Sequence, residues 1–173
     1  MLDIDIRSPQ PFDLVGGAAV GREAVPIAFV SFGSSSGFHI RVTDGNGSVL
    51  GTAWPAAGGS GEFGGPYAFD IDLPAAPTTK YGTIEFSEMA GDPAERVVIV
   101  VFGSAIMPGY FTYKLHTVMP GDTLWDIAEV EYKVGSEWTY IYEANSHQIN
   151  DPDLIFPGQV LMIPHSTTTI FHR

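Results

Sequence analysis

The sequence predicts a chain of mixed class, in which an all-β sandwich precedes a small α+β domain. The first observation is that residues 1–112 hold 17 of the 20 glycines and 9 of the 13 prolines. The second is that these residues form short alternating segments without a sustained helical period, as antiparallel strands do. The third is that residues 113–164 contain two short amphipathic helices between strand-like runs.

These patterns predict four segments along the chain. Residues 1–106 form the sandwich, 107–112 a linker around Met107-Pro-Gly-Tyr110, 113–165 the second domain and 166–173 a C-terminal tail. The linker follows from Pro and Gly, which interrupt regular structure.

Composition limits the possible function. The chain has 173 residues, of which 45% are hydrophobic and 16% charged, so a folded core is expected. Its formal charge of −12 disfavours nucleic acid as a partner. It has no cysteine, which excludes disulfides and thiolate sites. The apolar run Val97–Phe102 is far shorter than the roughly 20 residues of a membrane-spanning helix.

The first part reads as about seven strands of an antiparallel two-sheet sandwich. In the segment Tyr67–Leu73, four apolar residues alternate with Ala68, Asp70 and Asp72, which indicates an edge or surface strand. Asp44-Gly-Asn-Gly47 predicts a hairpin turn. The other predicted strands are 2–7, 28–32, 38–43, 49–54, 82–86 and 96–102.

The second part reads as strand, helix, helix, strand. Pro120 and Gly121 force a turn, after which Asp122 or Thr123 is expected to cap a helix. Ser136 is expected to cap a second helix, over 137–145. We expect Trp125 and Trp138 to be core anchors, since aromatic residues on small amphipathic helices usually are.

This second part resembles the lysin motif (LysM) family. The resemblance rests on Pro120-Gly-Asp-Thr-Leu-Trp125, Ile127-Ala128, Trp138-Thr-Tyr-Ile-Tyr-Glu-Ala-Asn145, Asp151-Pro-Asp-Leu-Ile155 and Pro157-Gly-Gln-Val-Leu-Met-Ile-Pro164. It implies binding of N-acetylglucosamine polymers such as peptidoglycan, without catalysis. It also implies a groove between two loops, formed by Gly121, Asp122, Thr123 and Leu124 on one side and by Pro152, Asp153, Leu154 and Ile155 on the other. Each of these residues also has an ordinary structural role as a cap, turn or core residue.

The first part resembles the immunoglobulin-like domain associated with bacterial sporulation and spore germination proteins (Gmad2-like). The resemblance rests on the segment 4–9 that leads into the sandwich, the hairpin in 41–50 and the runs 67–72 and 82–88. It implies a non-catalytic accessory module.

Other chemistry is weakly supported by the sequence. Gly33-Ser-Ser-Ser-Gly37 precedes a strand-like run and therefore lacks the helix of a nucleophile elbow. Gly59-Ser-Gly-Glu-Phe-Gly64 lacks the βαβ unit of a dinucleotide site. Asp70 with Asp72 and Asp151 with Asp153 fit a strand face and a turn better than a glycosidase pair. The five histidines show no metal-ligand spacing and are expected at the surface, so no catalytic residue, metal or cofactor is expected.

The prediction is a non-enzymatic bacterial protein that binds N-acetylglucosamine-containing glycan, most simply peptidoglycan. An alternative is a structural adapter in a phage-tail-like or contractile injection assembly, in which LysM docks to protein. A third is an ion or small-molecule sensor. Because the N-terminus lacks a basic, apolar leader, we expect a cytoplasmic protein or one delivered within an assembly, and otherwise a cell-wall protein.

Overall fold

The computed structural model describes residues 4–19, 22–31, 38–54, 65–88 and 91–167. The chain divides into two compact units, residues 1–105 and 106–173. Strands predominate, and among the described residues the two α-helices lie in the second unit. Within the same residues, no helix combines the length and apolarity that crossing a membrane requires. The small-residue stretch 56–64 and residues 168–173 of the predicted tail lie outside the described residues.

The first unit is built from two sheets. Its strands are β1 (Ile4–Ser8), β2 (Leu14–Val15), β3 (Gly17–Ala19), β4 (Arg22–Ser31), β5 (His39–Asp44), β6 (Val49–Ala53), β7 (Gly65–Asp72), β8 (Tyr81–Ser87) and β9 (Arg96–Phe102). One sheet holds β1, β3, β4 and β7, and the other has the order β2-β9-β8-β5-β6.

Strand β4 is longer than the sequence predicted and organises the first sheet. β1 pairs with its residues 28–31 and β3 with residues 22–24, while β7 pairs along residues 24–31. Pro26 therefore lies between the stretches that pair with β1 and β3. A proline, which has no N–H, is tolerated where no neighbouring strand needs that donor, and this explains how the strand continues through it.

The second sheet differs from the prediction in one pairing. β2 runs parallel to β9, with Leu14 opposite Val101, whereas the other pairs of this sheet are antiparallel. The expectation of a wholly antiparallel sandwich is therefore wrong at β2. A strand of two residues is too short to show an alternation of apolar and polar residues, and its partner β9 lies far away in sequence. The sequence therefore did not predict this pairing.

Both sheets contribute to one hydrophobic core. Phe29 on β4 packs edge-to-face against Phe86 on β8, with 5.7 Å between the ring centroids. Val25, Ile27 and Ile71 from the first sheet join Ile40, Val42, Ile84 and Val100 from the second. Burial of these apolar faces provides the main stabilisation of the unit.

The hairpin predicted at residues 44–47 joins β5 to β6. The Asp44 carboxylate accepts hydrogen bonds from the backbone N–H groups of Asn46 and Ser48 and from the Thr78 hydroxyl. The hydrogen bond from Thr78 is the main cause that lowers the pKa of Asp44 below its ordinary value. The Asp44 side chain therefore organises the turn through these hydrogen bonds.

The second unit is a two-stranded sheet with two helices. β10 (Tyr110–Thr117) leads to α1 (Leu124–Tyr132), a 3-10 turn (Gly135–Glu137), α2 (Trp138–Ala144) and β11 (Val160–Ser166). β10 and β11 are antiparallel, with Thr117 opposite Val160 and Tyr110 opposite Ser166.

Both strands of this unit extend beyond their predicted ends. Met107 and Tyr110 are buried, so part of the segment predicted as linker 107–112 belongs to this unit. β11 continues through Pro164 to Ser166, which was assigned to the tail. In a two-stranded sheet each strand has an unpaired edge, where the missing N–H of a proline is tolerated.

A buried asparagine connects the helices to the sheet. Asn145 has no solvent exposure, and its amide nitrogen donates to the carbonyl oxygens of Ile141 and Met162, each at 2.7 Å. Its side-chain oxygen accepts from the Met162 N–H at 2.9 Å and from the Gln148 side chain at 3.1 Å. The sequence placed Asn145 on the helix face but did not show that it fixes the end of α2 to β11.

Candidate functional site

The first wall of the candidate site is the turn between β10 and α1. Gly121 has a φ of +95°, a conformation that glycine adopts without strain. The Asp122 carboxylate accepts from the Met119 N–H and bonds to Nε2 of His116, both at 2.9 Å. These contacts hold the turn against β10.

Thr123, rather than Asp122, caps α1. Its hydroxyl oxygen accepts from the Asp126 N–H at 3.1 Å, and the hydroxyl donates to the Asp126 carboxylate at 2.7 Å. The cap satisfies a donor that the first helical turn leaves free, and Asp126 is favourable at the positive end of the helix. The direction of the helix at this wall is thereby fixed.

The second wall is the turn that follows α2. The Asp151 side chain accepts from the Asp153 N–H, and its carbonyl oxygen accepts from the Leu154 N–H, both at 3.0 Å. Further along, the Gln159 side chain accepts from the Phe156 N–H at 3.1 Å. The segment is therefore an ordered turn with its own hydrogen bonds.

A short extension of the sheet brings the two walls together. The Val118 N–H donates to the carbonyl oxygen of Gln159, and the Gly158 N–H donates to the carbonyl oxygen of Val118, both at 2.9 Å. Val118 is buried and precedes the first wall, while Gln159 follows the second. The two turns thus lie side by side at one end of the β10 and β11 pair.

Between the walls is a cleft with a volume of about 260 Å³. Six of the eight residues predicted for the groove line it: Asp122, Thr123, Leu124, Pro152, Asp153 and Ile155. Gly121 and Leu154 lie in the same two turns but are not among the lining residues. Leu154 is exposed and Gly121 provides the turn conformation.

Two tryptophans complete the lining of the cleft. The expectation that both are core anchors was incorrect. Trp125 is 52% exposed and Trp138 is partly buried, and both line the cleft. A methyl group built on Gly135 would lie 2.3 Å from Nε1 of Trp125, so the indole lies directly against that glycine. Trp125 was predicted as a core anchor because its helical spacing does not reveal this contact.

The surroundings of Asp122 lower the pKa of its carboxyl group. The hydrogen bond from the Met119 N–H is the largest cause that lowers its pKa, and the contact with His116 adds to it. The lining thus combines carboxylates, a hydroxyl, aliphatic groups and indole rings. Such a lining matches the hydroxyl and amide edges and the weakly apolar faces of a sugar chain.

A larger groove, of about 640 Å³, lies in the first unit. It is lined by β6, by residues 72–74 and by Glu23, whose side chain is already hydrogen-bonded to Ser104. None of the predicted site residues lies there. The smaller cleft is the candidate site because two ordered turns and the predicted residues meet in it.

Other candidate groups are placed as follows. His165 is buried beside Glu131, with 3.7 Å between the nearest nitrogen and oxygen, so the expectation of surface histidines is wrong for this residue. Its ring also packs edge-to-face against Tyr132 of α1, a contact that the residues around His165 in the sequence do not indicate. In the part of the chain that the structure describes, no group of three His, Asp or Glu side chains forms a metal site. The motifs at 33–37 and 59–64 lie outside the described residues.

Comparison with known proteins identifies the class of the second unit. The family model of the LysM domain matches residues 116–164, and these residues form a LysM domain. LysM domains bind N-acetylglucosamine glycans such as peptidoglycan. The match covers the two walls of the cleft and leaves the first unit unassigned.

Three relatives match the chain over about 50 residues each. The chain is 43% identical over 49 residues to resuscitation-promoting factor Rpf of Micrococcus luteus, which is 28% of this chain and 22% of that protein. It is 43% identical over 51 residues to potassium binding protein Kbp of Escherichia coli O6:H1, covering 30% and 34%. It is 41% identical over 51 residues to spore coat assembly protein ExsA of Bacillus cereus, covering 30% and 7%. The chain thus spans about a third or less of each relative, and no solved structure matches it.

Proposed function

We propose that this chain is a non-catalytic bacterial carbohydrate-binding protein that attaches to N-acetylglucosamine-containing glycan, most simply peptidoglycan, through the cleft of its LysM domain. The observation that carries the proposal is the convergence of Asp122, Thr123 and Leu124 with Pro152, Asp153 and Ile155 on one cleft that Trp125 and Trp138 complete. The cleft is small and open, so one domain binds weakly, and firm attachment requires several copies.

The experiment is a pull-down of the full chain with purified cell-wall sacculi and with insoluble chitin. Trp125→Ala removes an exposed indole from the cleft, and Trp54→Ala is its control, because Trp54 is 55% exposed and lies in the first unit. We expect retention of the wild type and of Trp54→Ala, and reduced retention of Trp125→Ala. Equal retention of both variants, or none of the wild type, would reject the assignment. Release of soluble sugar or peptide from the sacculi would reject the non-catalytic part.

We also propose that the first unit is an immunoglobulin-like accessory module. Its two sheets share one core, and a short β2 pairs parallel with β9 at the edge of the second sheet. Two sheets around one core support a sandwich fold, and its role would be to display the LysM domain or to act as a spacer. A pull-down with a Phe29→Asp variant tests it, since loss of this fold should leave glycan retention by the second unit unchanged.

A second candidate function is that of a structural adapter, in which the LysM domain docks to protein. Met119, Leu154 and Phe156 expose apolar side chains outside the cleft, and such groups favour protein contact. A complex with the products of neighbouring genes that forms without glycan, and that survives Trp125→Ala, would favour this candidate.

A further inference from the structure

The carboxylates around the cleft differ in whether they have partners. Asp122 is bonded to the Met119 N–H and to His116, and Asp126 is bonded to Thr123. The Asp153 side chain, in contrast, makes no hydrogen bond or ion pair with any described residue, although its backbone N–H is bonded to Asp151. Asp153 is exposed and is one of the residues that line the cleft, so a ligand bound there would lie beside it.

No lysine or arginine side chain lines the cleft beside this group. Residues 113–164 contain eight Asp and Glu side chains and two lysines. The amine of Lys114 is bonded to Glu131 and that of Lys133 to the carbonyl oxygen of Val130. The N-terminus of α1 already has Asp126 beside it, and His116 is bonded to Asp122. No cationic side chain of the lining is therefore left to balance Asp153 and an incoming carboxylate.

We propose that Asp153 makes the cleft select by charge, so that it favours N-acetylglucosamine glycan without carboxylates beside the bound sugars over the same glycan carrying the acidic stem peptides of peptidoglycan. The inference rests on the proposed function and specifies the substrate class of that same cleft. A free carboxylate accepts hydrogen bonds from sugar hydroxyl and amide N–H groups, which an uncharged glycan supplies. It repels a second carboxylate, and the effect decreases as salt screens it over about 10 Å at 0.1 M.

The size of the effect follows from the exposure of the group. Exposed charge pairs interact weakly, which corresponds to a factor of about two to five in affinity at low salt. Binding itself persists without Asp153, since the indole and aliphatic lining remains. Charge therefore determines which glycan is preferred rather than whether any glycan binds.

The experiment compares two forms of one ligand, binding to the full chain. The first is a soluble peptidoglycan strand with intact stem peptides, and the second is the same strand with its carboxyl groups amidated. At low salt we expect the amidated strand to bind wild type about two- to fivefold more tightly. The ratio should fall towards one at high salt and in Asp153→Asn. Asp92→Asn, which makes the same charge change at an exposed site in the first unit, should keep the wild-type ratio.

Two results would overturn the inference while leaving glycan binding intact. One is equal affinity of wild type for the two strands, and the other is an unchanged ratio in Asp153→Asn. Failure of both strands and of a neutral N-acetylglucosamine pentamer to bind would instead reject the proposed function on which the inference rests.

Discussion

Trp125 lies against Gly135, so closely that a Cβ at position 135 would come within 2.3 Å of the indole Nε1. The indole belongs to the first turn of α1 and the glycine to the 3-10 turn that precedes α2. The contact lets a large exposed ring line the cleft without being buried in the core.

Substitution of Gly135 tests the role of this contact. Gly135→Ala should displace the Trp125 ring and weaken glycan binding by about two- to tenfold, the range expected for one aromatic contact. Titration with N-acetylglucosamine oligomers measures the loss. The control is the double variant, since Gly135→Ala should have no further effect once Trp125→Ala has removed the ring. An additional loss in the double variant would contradict this explanation.

Acid should weaken the second unit through Asp122. Its pKa in the folded state is lower than its ordinary value of 3.8, chiefly because the Met119 N–H bonds to the charged carboxylate. The carboxylate therefore contributes stability above pH 3.8, and this contribution is lost as the pH falls through the lower folded value. Asp122→Asn should flatten this part of the acid dependence of thermal unfolding, followed by amide NMR signals of α1.

Asp44→Asn is the matched control for Asp122. The pKa of Asp44 is also lowered, but this residue organises a hairpin in the first unit. Its substitution should change the acid dependence of first-unit signals and leave those of α1 as in wild type. The same change of the α1 signals in both variants would argue against a local effect of Asp122.

The hydroxyl of Tyr132 is buried without a hydrogen-bond partner among the described residues. Burial, with the nearby Glu131 and Glu137 carboxylates, raises its pKa, so the group stays protonated. Leaving such a polar group unsatisfied costs about 1–3 kcal/mol. Tyr132→Phe should therefore raise the free energy of unfolding by about 1 kcal/mol, measured by urea titration.

Tyr140→Phe serves as the control for Tyr132, because Tyr140 lies next to it but is only partly buried. Its effect should stay within about 0.5 kcal/mol. A loss of stability in Tyr132→Phe would show that the hydroxyl has a partner after all.

Asn145 should be the most sensitive polar residue of the second unit. Asn145→Ala leaves the N–H and carbonyl of Met162 buried without their partner, and we expect a loss of about 3 kcal/mol or more. Asn145→Asp keeps the shape but cannot donate to the two carbonyl oxygens, so it should also destabilise strongly. Chemical denaturation measures both, and the exposed Asn150→Ala should change little.

Local signals made much of the second unit predictable. Pro120 with Gly121, the Thr123 cap and the apolar stripe of α1 act within a few residues, and their effects are visible in the sequence. The placement of Pro152 and Asp153 opposite the first wall, in contrast, came from the family resemblance and not from local signals. Six of the eight residues named from the resemblance line the cleft, whereas Trp125 and Trp138 were not among them.

Features that depend on distant contacts were missed. The exposure of Trp125 depends on Gly135, the burial of His165 on its position beside Glu131, and the pairing of β2 on β9. None of these partners is specified by the periodicity of the segment itself. Likewise, the start of β10 at Tyr110 depends on its pairing with β11, whereas Met107-Pro-Gly predicted a linker up to residue 112.

Because Tyr110 lies opposite Ser166, the first residue of β10 and the last residue of β11 are adjacent. The cleft turns lie at the other end of this strand pair, about 20 Å away for strands of this length. A force that pulled residues 110 and 166 apart would open the interstrand hydrogen bonds one after another, like a zipper, whereas a load between one chain end and a bound glycan would act along the strands. The unit should therefore resist tension as an anchor on glycan far better than as a link within a stretched chain.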